Sequence, residues 1–147
     1  MYLQQMHVVY SDLEYFSKIS GLLSDLPDIC RSDYIKTDIS ELGYFEPQAR
    51  FASTEKYKQR IIELNYTDKP KLIAHLYVRH MGDLYGGKLI GRKVPGSGKA
   101  YQFDDRPALI KTLDAKLTMD ILDESLLAFD MSAYMFNDML KKVNESQ

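Results

Sequence analysis

The sequence has few of the features that mark secreted or membrane proteins. Cys30 is its only cysteine, which excludes a disulfide within the chain and fits a reducing compartment. No apolar run approaches the about 20 residues that a membrane-spanning helix requires, and the N-terminus has neither a basic leader nor the apolar core of a signal peptide. These absences predict a cytoplasmic protein that does not insert into a membrane.

A strong excess of charge of either sign is also absent. The 19 Lys and Arg residues and the 21 Asp and Glu residues give a formal net charge of -2, so the chain has no general attraction to nucleic acid. Hydrophobic residues make up 45% of the 147 residues, which is enough for one sizeable core and argues against disorder. We therefore expect a single helical domain over residues 1–147 and no nucleic-acid partner.

Apolar residues recur at intervals of three and four along most of the chain, as they do in helices that bury one face. No strand pattern is convincing, so the predicted fold class is an all-α helical bundle. Turn residues at Gly43 to Pro47 and at Val94 to Gly98 separate the helical segments. The first three predicted helices cover residues 1–24, 28–42 and 53–65, the third with Ser53 or Thr54 as its cap. A central helix follows the Asp68 cap and Pro70, and it bends or ends after Gly87. The last helical region covers residues 109–140, as one helix or as two with a kink near Thr118.

The central helix contains two glycines, Gly82 and Gly86, which are four residues apart and therefore lie on one face. Each glycine costs a helix about 1 kcal/mol relative to alanine, so two on one face require a reason. One interpretation is that a flat or bulky ligand lies against bare backbone there, with the Asp83 carboxylate beside it. The other is a close crossing of two helices. The residues alone leave both open.

The residues around these glycines form a long pattern of fixed spacing: Ala74, His75, Tyr77, Arg79, Gly82, Asp83, Leu84, Gly86 and Gly87. This pattern resembles the distal-helix signature of the heme oxygenases, and weaker matches extend along nearly the whole chain. The resemblance implies a heme oxygenase-like helical bundle that cleaves heme to biliverdin, carbon monoxide and ferrous iron. Heme would be both substrate and cofactor, with dioxygen and an external electron donor such as ferredoxin or a reductase.

The resemblance also implies individual site residues. Asp83 would hold a distal water that delivers a proton during ring opening, and Arg79 would support its hydrogen-bond network. Gly82 and Gly86 would let the helix backbone approach the macrocycle. The residues expected to contact the heme propionates are Tyr77 and Lys111, and those expected to wall the macrocycle are Phe129 and Phe136.

The sequence departs from the family pattern at the iron ligand. The family's proximal histidine lies on a first helix, and this chain begins about where the second helix should. None of the three histidines, His7, His75 and His80, falls at the proximal position, so the metal ligand is unknown. Three explanations fit: a truncated sequence, a homodimer whose partner covers the flank left exposed by the missing helix, and a family member that has lost the reaction.

These departures leave a second hypothesis open, which is a non-catalytic binding or structural protein with the heme oxygenase fold. Tyr85 is a further departure, because it stands where the family usually has a small serine and would either crowd the distal pocket or change its hydrogen bonds. A thiaminase-type relative of the same broad fold is disfavoured. That chemistry needs a nucleophilic cysteine in the pocket, whereas Cys30 is predicted in a weak helix near a turn.

Overall fold

The computed structural model describes residues 2–43, 49–93 and 96–145, apart from the side chains of residues 88 and 90. Every regular element within these ranges is helical, which confirms the predicted all-α fold class. None of these helices has the length and apolarity needed to cross a bilayer. The α-helices are α1 (Tyr2–Ile19), α2 (Ser32–Glu41), α3 (Ala52–Thr67), α4 (Leu72–Gly91), α5 (Arg106–Lys116) and α6 (Leu122–Glu145), with 3₁₀ turns at Lys69–Lys71, Lys99–Tyr101 and Met119–Ile121.

Glycine caps decide where the first two helices end. α1 ends at Ile19, earlier than predicted, because Gly21 has a φ of 77° and forms a left-handed cap. The N–H groups of Gly21 and Leu22 donate to carbonyls of the last turn at 3.1 and 2.9 Å, which is the Schellman arrangement. Gly43, with a φ of 75°, ends α2 as predicted. Most of the connector predicted up to residue 47 lies outside the described residues, as does part of the turn predicted over residues 94–98.

The predicted start of α3 is wrong for a tertiary reason. Ser53 Oγ donates to the Asp138 carboxylate of α6, and Thr54 Oγ1 donates to Gln5 of α1 at 2.6 Å. The two hydroxyls therefore tie α3 to its neighbours and do not cap it, and the helix begins at Ala52. Asp68 occupies the predicted N-cap position with Pro70 in the first turn after it, but its side chain accepts no capping hydrogen bond.

The later helices follow the prediction in part. α4 continues past its glycine pair to Gly91, so of the two predicted alternatives, a bend or an end after Gly87, the end is wrong. The C-terminal region forms two helices, and the alternative with a break near Thr118 is confirmed. Asp105 caps α5 by accepting the backbone N–H of Ala108 at 3.1 Å. Thr118 has extended backbone, with φ -123° and ψ 165°, and separates α5 from α6.

α4 contributes to both hydrophobic clusters of the described residues. In the larger cluster Leu76 packs with Leu13 of α1 and Ile61 of α3, and all three side chains are fully buried. In the smaller cluster Met81 of α4 packs with Leu113 of α5. Since burial of one such side chain stabilises a fold by about 1.5–3 kcal/mol, α4 is held from several sides at once.

Two buried carboxylates also hold α4 in place. His75 Nε2 lies 2.9 Å from Glu124 Oε2 of α6, and His80 Nε2 lies 2.8 Å from Glu14 Oε2 of α1. Arg60 of α3 forms a further ion pair with Glu124. Burial by itself would raise the pKa of Glu124, but the hydrogen bonds from His75 and Arg60 outweigh it and lower the pKa to about 2. These contacts join α1, α3 and α6 to the central helix.

The pKa of Glu124 predicts how stability depends on pH. Its folded value of about 2 lies below the ordinary 4.5, so the charged carboxylate stabilises the fold above pH 4.5 and this contribution is lost as the pH falls toward 2. We expect Glu124→Gln to lower the free energy of unfolding by about 2–3 kcal/mol at neutral pH and by progressively less below pH 4.5. Urea unfolding at a series of pH values measures both trends.

Asp104→Asn is the control for this prediction, because Asp104 carries an exposed carboxylate outside the cluster around Glu124. It should change the free energy of unfolding little at any pH. A loss from Glu124→Gln that stays the same between pH 7 and pH 3 would contradict the assigned role of the charge.

Candidate functional site

One side of α4 is bare where most of the helix is buried. Gly82 is exposed, and an added Cβ there would meet no atom within 4 Å. Tyr85 and Leu89 continue the same face and are 68% and 61% exposed. A close helix crossing therefore does not explain Gly82, and the interpretation of a position left open is the one that the geometry favours there. Gly86 is half-buried.

Close packing through glycine does occur on α4, but at a different pair. An added Cβ on Gly87 would come within 3.2 Å of the Tyr101 ring, and one on Gly91 within 3.1 Å of Tyr101 Cβ. These two glycines are four residues apart and let the Lys99–Tyr101 turn lie against the helix backbone. The sequence pattern singled out Gly82 and Gly86 and missed this pair.

The middle of α6 borders the bare part of α4. Arg79 Nη1 donates to Ser132 Oγ at 2.9 Å, which places α6 alongside the turn of α4 that carries Gly82. Phe129 and Phe136, about one turn on either side of Ser132, are 58% and 56% exposed. We call the exposed residues of both helices the open face: Gly82, Tyr85 and Leu89 of α4 with Leu126, Phe129 and Phe136 of α6.

Asp83 lies behind the open face and is hydrogen-bonded to α1. Tyr10 Oη donates to Asp83 Oδ2 at 2.6 Å, and the Tyr10 ring is buried and stacks on His80 with ring centroids 5.0 Å apart. Burial raises the pKa of the Asp83 carboxyl above its ordinary value, although His80, Tyr10 and Arg79 oppose the shift. Asp83 is therefore a carboxyl group that holds a proton more readily than an exposed aspartate.

Arg79 brings a positive charge to the same place. Its guanidinium lies over the Tyr10 ring at 5.4 Å and contacts the Met6 sulfur as well as Ser132. Its Nε is buried and has no hydrogen-bond partner among the described residues. Since a guanidinium stays protonated in proteins, this side chain keeps one buried donor that no described group uses.

A small cavity adjoins this group of side chains. It has a volume of about 10 Å³, which is the space that one water molecule needs. Polar groups that line it include Tyr10, Asp83, Arg31 and Tyr101. A water molecule bound there would be able to exchange hydrogen bonds with the Asp83 carboxyl.

Two residues that the sequence assigns to the propionates lie at the edge between α4 and α5. Tyr77 Oη donates to Asp114 Oδ1 of α5 at 3.2 Å, and burial together with the Asp114 charge raises the pKa of Tyr77. Lys111 is exposed one turn before Asp114 on the same helix. Tyr77 thus already has a carboxylate partner within the chain, and the contact of both residues with a propionate stays a prediction.

All three histidines are described, and each is engaged away from the open face. His75 is fully buried between Glu124 and Tyr57, and both ring nitrogens have partners at 2.9 and 3.2 Å. His80 is fully buried against Glu14, and His7 of α1 lies next to Ser11. Among the described residues no group of three or more His, Cys, Asp or Glu side chains could hold a metal ion. The iron ligand therefore stays unassigned.

Sequence reasoning missed the residues that position Asp83. Tyr10 falls in the apolar stripe of α1, a position that by itself predicts only a core residue, yet its hydroxyl contacts a carboxylate 73 positions later. Tyr101 lies in a 3₁₀ turn with its ring against α4, and it lines the cavity beside Asp83. A tyrosine within an apolar stripe is the available signal, because a buried phenol needs a hydrogen-bond partner.

The fold is that of the heme oxygenases. The chain is similar to the crystal structure of heme oxygenase-1 from the cyanobacterium Synechocystis in complex with heme, with a TM-score of 0.82, 24% identity, and coverage of 98% of this chain and 77% of that chain. The structure of heme oxygenase from Leptospira interrogans gives a TM-score of 0.79 at 24% identity, covering 92% and 80% of the two chains.

Sequence comparison agrees with the fold. Residues 1–111 match the model of the heme oxygenase family, and this chain belongs to that family. It is 32% identical over 116 residues to heme oxygenase of Takifugu rubripes, which covers 65% of this chain and 42% of the relative. It is 35% identical over 106 residues to heme oxygenase 1 of Nostoc, covering 58% and 44%. The chain thus spans less than half the length of these two relatives.

The two kinds of glycine on α4 predict opposite effects on stability. Gly82→Ala adds a methyl group in open space and a better helix former, so we expect the free energy of unfolding to rise by about 0.5–1 kcal/mol. Gly87→Leu forces a side chain into the Tyr101 ring and should lower it by about 2 kcal/mol or more. Urea unfolding of both variants checks this. A loss of stability in Gly82→Ala would mean that the position is filled.

Proposed function

We propose that this chain binds heme on the open face and takes part in its oxidative cleavage to biliverdin, carbon monoxide and ferrous iron. Dioxygen would supply the oxygen, and an external donor such as ferredoxin or a reductase would supply the electrons. The single observation that carries the proposal is the bare backbone at Gly82, directly before the half-buried Asp83 and beside an exposed apolar helix. Membership of the heme oxygenase family supports it.

The open face suits a flat apolar macrocycle. Gly82 has no side chain and no neighbour within 4 Å, so a ring system could approach the helix backbone. Phe129 and Phe136 are exposed on the neighbouring helix and would offer aromatic surface to the macrocycle, and the exposed Lys111 would offer a positive charge to a propionate. The described residues do not place an imidazole on this face, so the fit extends to the macrocycle and not to an axial histidine.

The reactive centre would be the heme iron, at which dioxygen is reduced when heme is bound. The part of the protein would be to place a proton source beside it. Asp83 has a raised pKa, accepts a hydrogen bond from Tyr10 and adjoins a cavity of one water molecule. A carboxyl in that setting can hold a proton and pass it through the water. Arg79 would fix the surrounding hydrogen bonds with its buried charge.

The same proposal implies where the protein acts and which interactions it does not use. The protein would act in the cytoplasm, without nucleic acid and without insertion into a membrane. The proposal concerns a chain that matches less than half the length of its relatives, so it is tested with this chain itself.

Hemin titration followed by reduction tests the reaction. We expect the purified chain to give a defined Soret band and, after addition of ascorbate or ferredoxin with its reductase, the absorbance of biliverdin. Asp83→Ala should still bind hemin but yield about 100-fold less biliverdin and show peroxidase-like oxidation instead, because the proton source is lost. Asp104→Ala, which removes an exposed carboxylate, should behave as the unchanged chain.

The same experiment separates the proposed enzyme from a non-catalytic heme-binding protein. A Soret complex that never yields bile pigment would support the non-catalytic protein. Absence of any Soret shift would remove heme as the ligand. Equal biliverdin yields from Asp83→Ala and the unchanged chain would refute the role given to Asp83.

A substitution at Gly82 tests the position of the macrocycle independently of turnover. Gly82→Leu should raise the dissociation constant of hemin about tenfold or more, because its side chain fills the space at the open face. The free energy of unfolding should not fall, since the position is exposed and leucine is a better helix former than glycine. Gln59→Leu adds the same side chain at an exposed position of α3 and should bind hemin normally. Unchanged hemin affinity in Gly82→Leu would place the ligand elsewhere.

A further inference from the structure

α6 borders a second concave region besides the open face, on the side that it turns toward α3. This region has a volume of about 410 Å³, within the range of about 300–1,000 Å³ that is usual for small-molecule sites. Leu127 and Met131 are each two residues from Phe129 and therefore lie about 160° around the helix from it. The region is thus separate from the open face. We call it the α3–α6 groove, and its lining includes Lys56 of α3 with Leu127, Met131, Tyr134, Asp138 and Lys141 of α6.

The groove is apolar at one end and charged at the other. Leu127, Met131 and Tyr134 line the apolar end over about 10 Å of α6. The first two side chains are half-buried and the third is 60% exposed, so this apolar surface is open to a ligand. Asp138 and Lys141 follow along the same side of the helix. A ligand that matches both ends has an apolar chain and a polar head group.

The neighbouring helix brings a second ammonium group to the groove. Ser53, at the start of α3, contacts Asp138 in the last part of α6. Arg60, further along α3, forms an ion pair with Glu124 at the start of α6. The two helices are therefore antiparallel, and Lys56 lies between these two contacts, opposite the middle of the groove.

The two lysines of the groove are positive charges without a counterion. Both are exposed, and neither ammonium group has a hydrogen bond or an ion pair with any residue that the structure describes. Asp138 does not neutralise them, because its Oδ2 accepts the Ser53 hydroxyl proton and lies 3.4 Å from the Ser53 backbone nitrogen. It replaces the side-chain cap that Phe51 does not supply, and its charge is offset by the positive end of α3. The charge of the groove therefore favours an anionic head group.

We propose that the α3–α6 groove binds an aliphatic carboxylate of medium chain length, that is, a free fatty acid. Its alkyl chain would lie over Leu127 and Met131, where burial of methylene groups supplies affinity. Its carboxylate would lie between Lys56 and Lys141 and accept charge-assisted hydrogen bonds from both. The proposal goes beyond heme cleavage, because none of these residues belongs to the open face.

Isothermal titration calorimetry of the full chain without hemin tests the head group and the chain. We expect decanoate to bind with one site per chain, and octanoate to bind about tenfold more weakly because it buries two fewer methylene groups. Decyltrimethylammonium has the same chain with a positive head group and should bind at least tenfold more weakly than decanoate. Vesicles of phosphatidylcholine and phosphatidylglycerol should not sediment the protein, which distinguishes a free carboxylate from a lipid surface.

A charge reversal tests the two lysines. The double variant Lys56→Glu with Lys141→Glu should bind decanoate at least tenfold more weakly and decyltrimethylammonium more tightly than the unchanged chain does. The matched control is Lys36→Glu with Lys69→Glu, which changes two exposed lysines outside the groove by the same total charge and should bind decanoate normally. Circular dichroism verifies that both variants are folded.

Filling the groove tests its position. Ala52 is exposed and lines the groove, so Ala52→Trp should abolish decanoate binding, whereas Gln59→Trp at another exposed position of α3 should not. Gly82→Leu alters the open face and should leave the decanoate affinity unchanged.

Four results would each overturn the proposal: no binding of decanoate at about 1 mM, equal affinity for the cationic amphiphile, equal losses in the two charge-reversed variants, or sedimentation with vesicles. None of these readouts uses hemin, so failure here and failure of the proposed reaction are distinguishable.

Discussion

Two buried contacts between histidine and carboxylate set the orientation of α4, on which the rest of the site depends. His75 contacts Glu124 of α6 and His80 contacts Glu14 of α1. The two histidines are five residues apart and therefore point in directions about 140° apart around the helix axis. A helix held in two such directions cannot rotate. As a result Asp83 meets Tyr10 on the inside while Gly82 is left outside.

The glycines of α4 show that one residue type serves two opposite purposes on one helix. At Gly87 and Gly91 the space that a side chain would take is occupied by Tyr101, so these glycines let the turn that carries Tyr101 lie close to the α4 backbone. At Gly82 no atom of the described part of the chain lies within 4 Å of the place where a Cβ would be. Each glycine in a helix interior costs about 1 kcal/mol of stability relative to alanine. At Gly87 and Gly91 the packing of Tyr101 offsets that cost. The cost at Gly82 has no such compensation within the described residues.

Local pattern predicted much of this fold, and long-range contacts account for what it missed. The apolar periodicity located the helices and the all-α class, because burial of one face is a local property of the sequence. It failed where a side chain had a distant partner: Ser53 was expected as a cap but binds Asp138, 85 positions later. The link from Tyr10 to Asp83 spans 73 positions and has no local signature. Gly82 was identified only because glycine is conspicuous in a helix.

Enclosure of a macrocycle and ligation of its iron are separate requirements of this site. A planar macrocycle is held firmly when apolar surface covers both of its sides, and the described residues offer α4 and α6 as one wall. Neither helix brings an imidazole to that wall, because α6 contains no histidine and the two histidines of α4 are buried against Glu14 and Glu124. The wall would therefore contribute apolar contact and, through Asp83, a carboxyl group, and not the iron ligand.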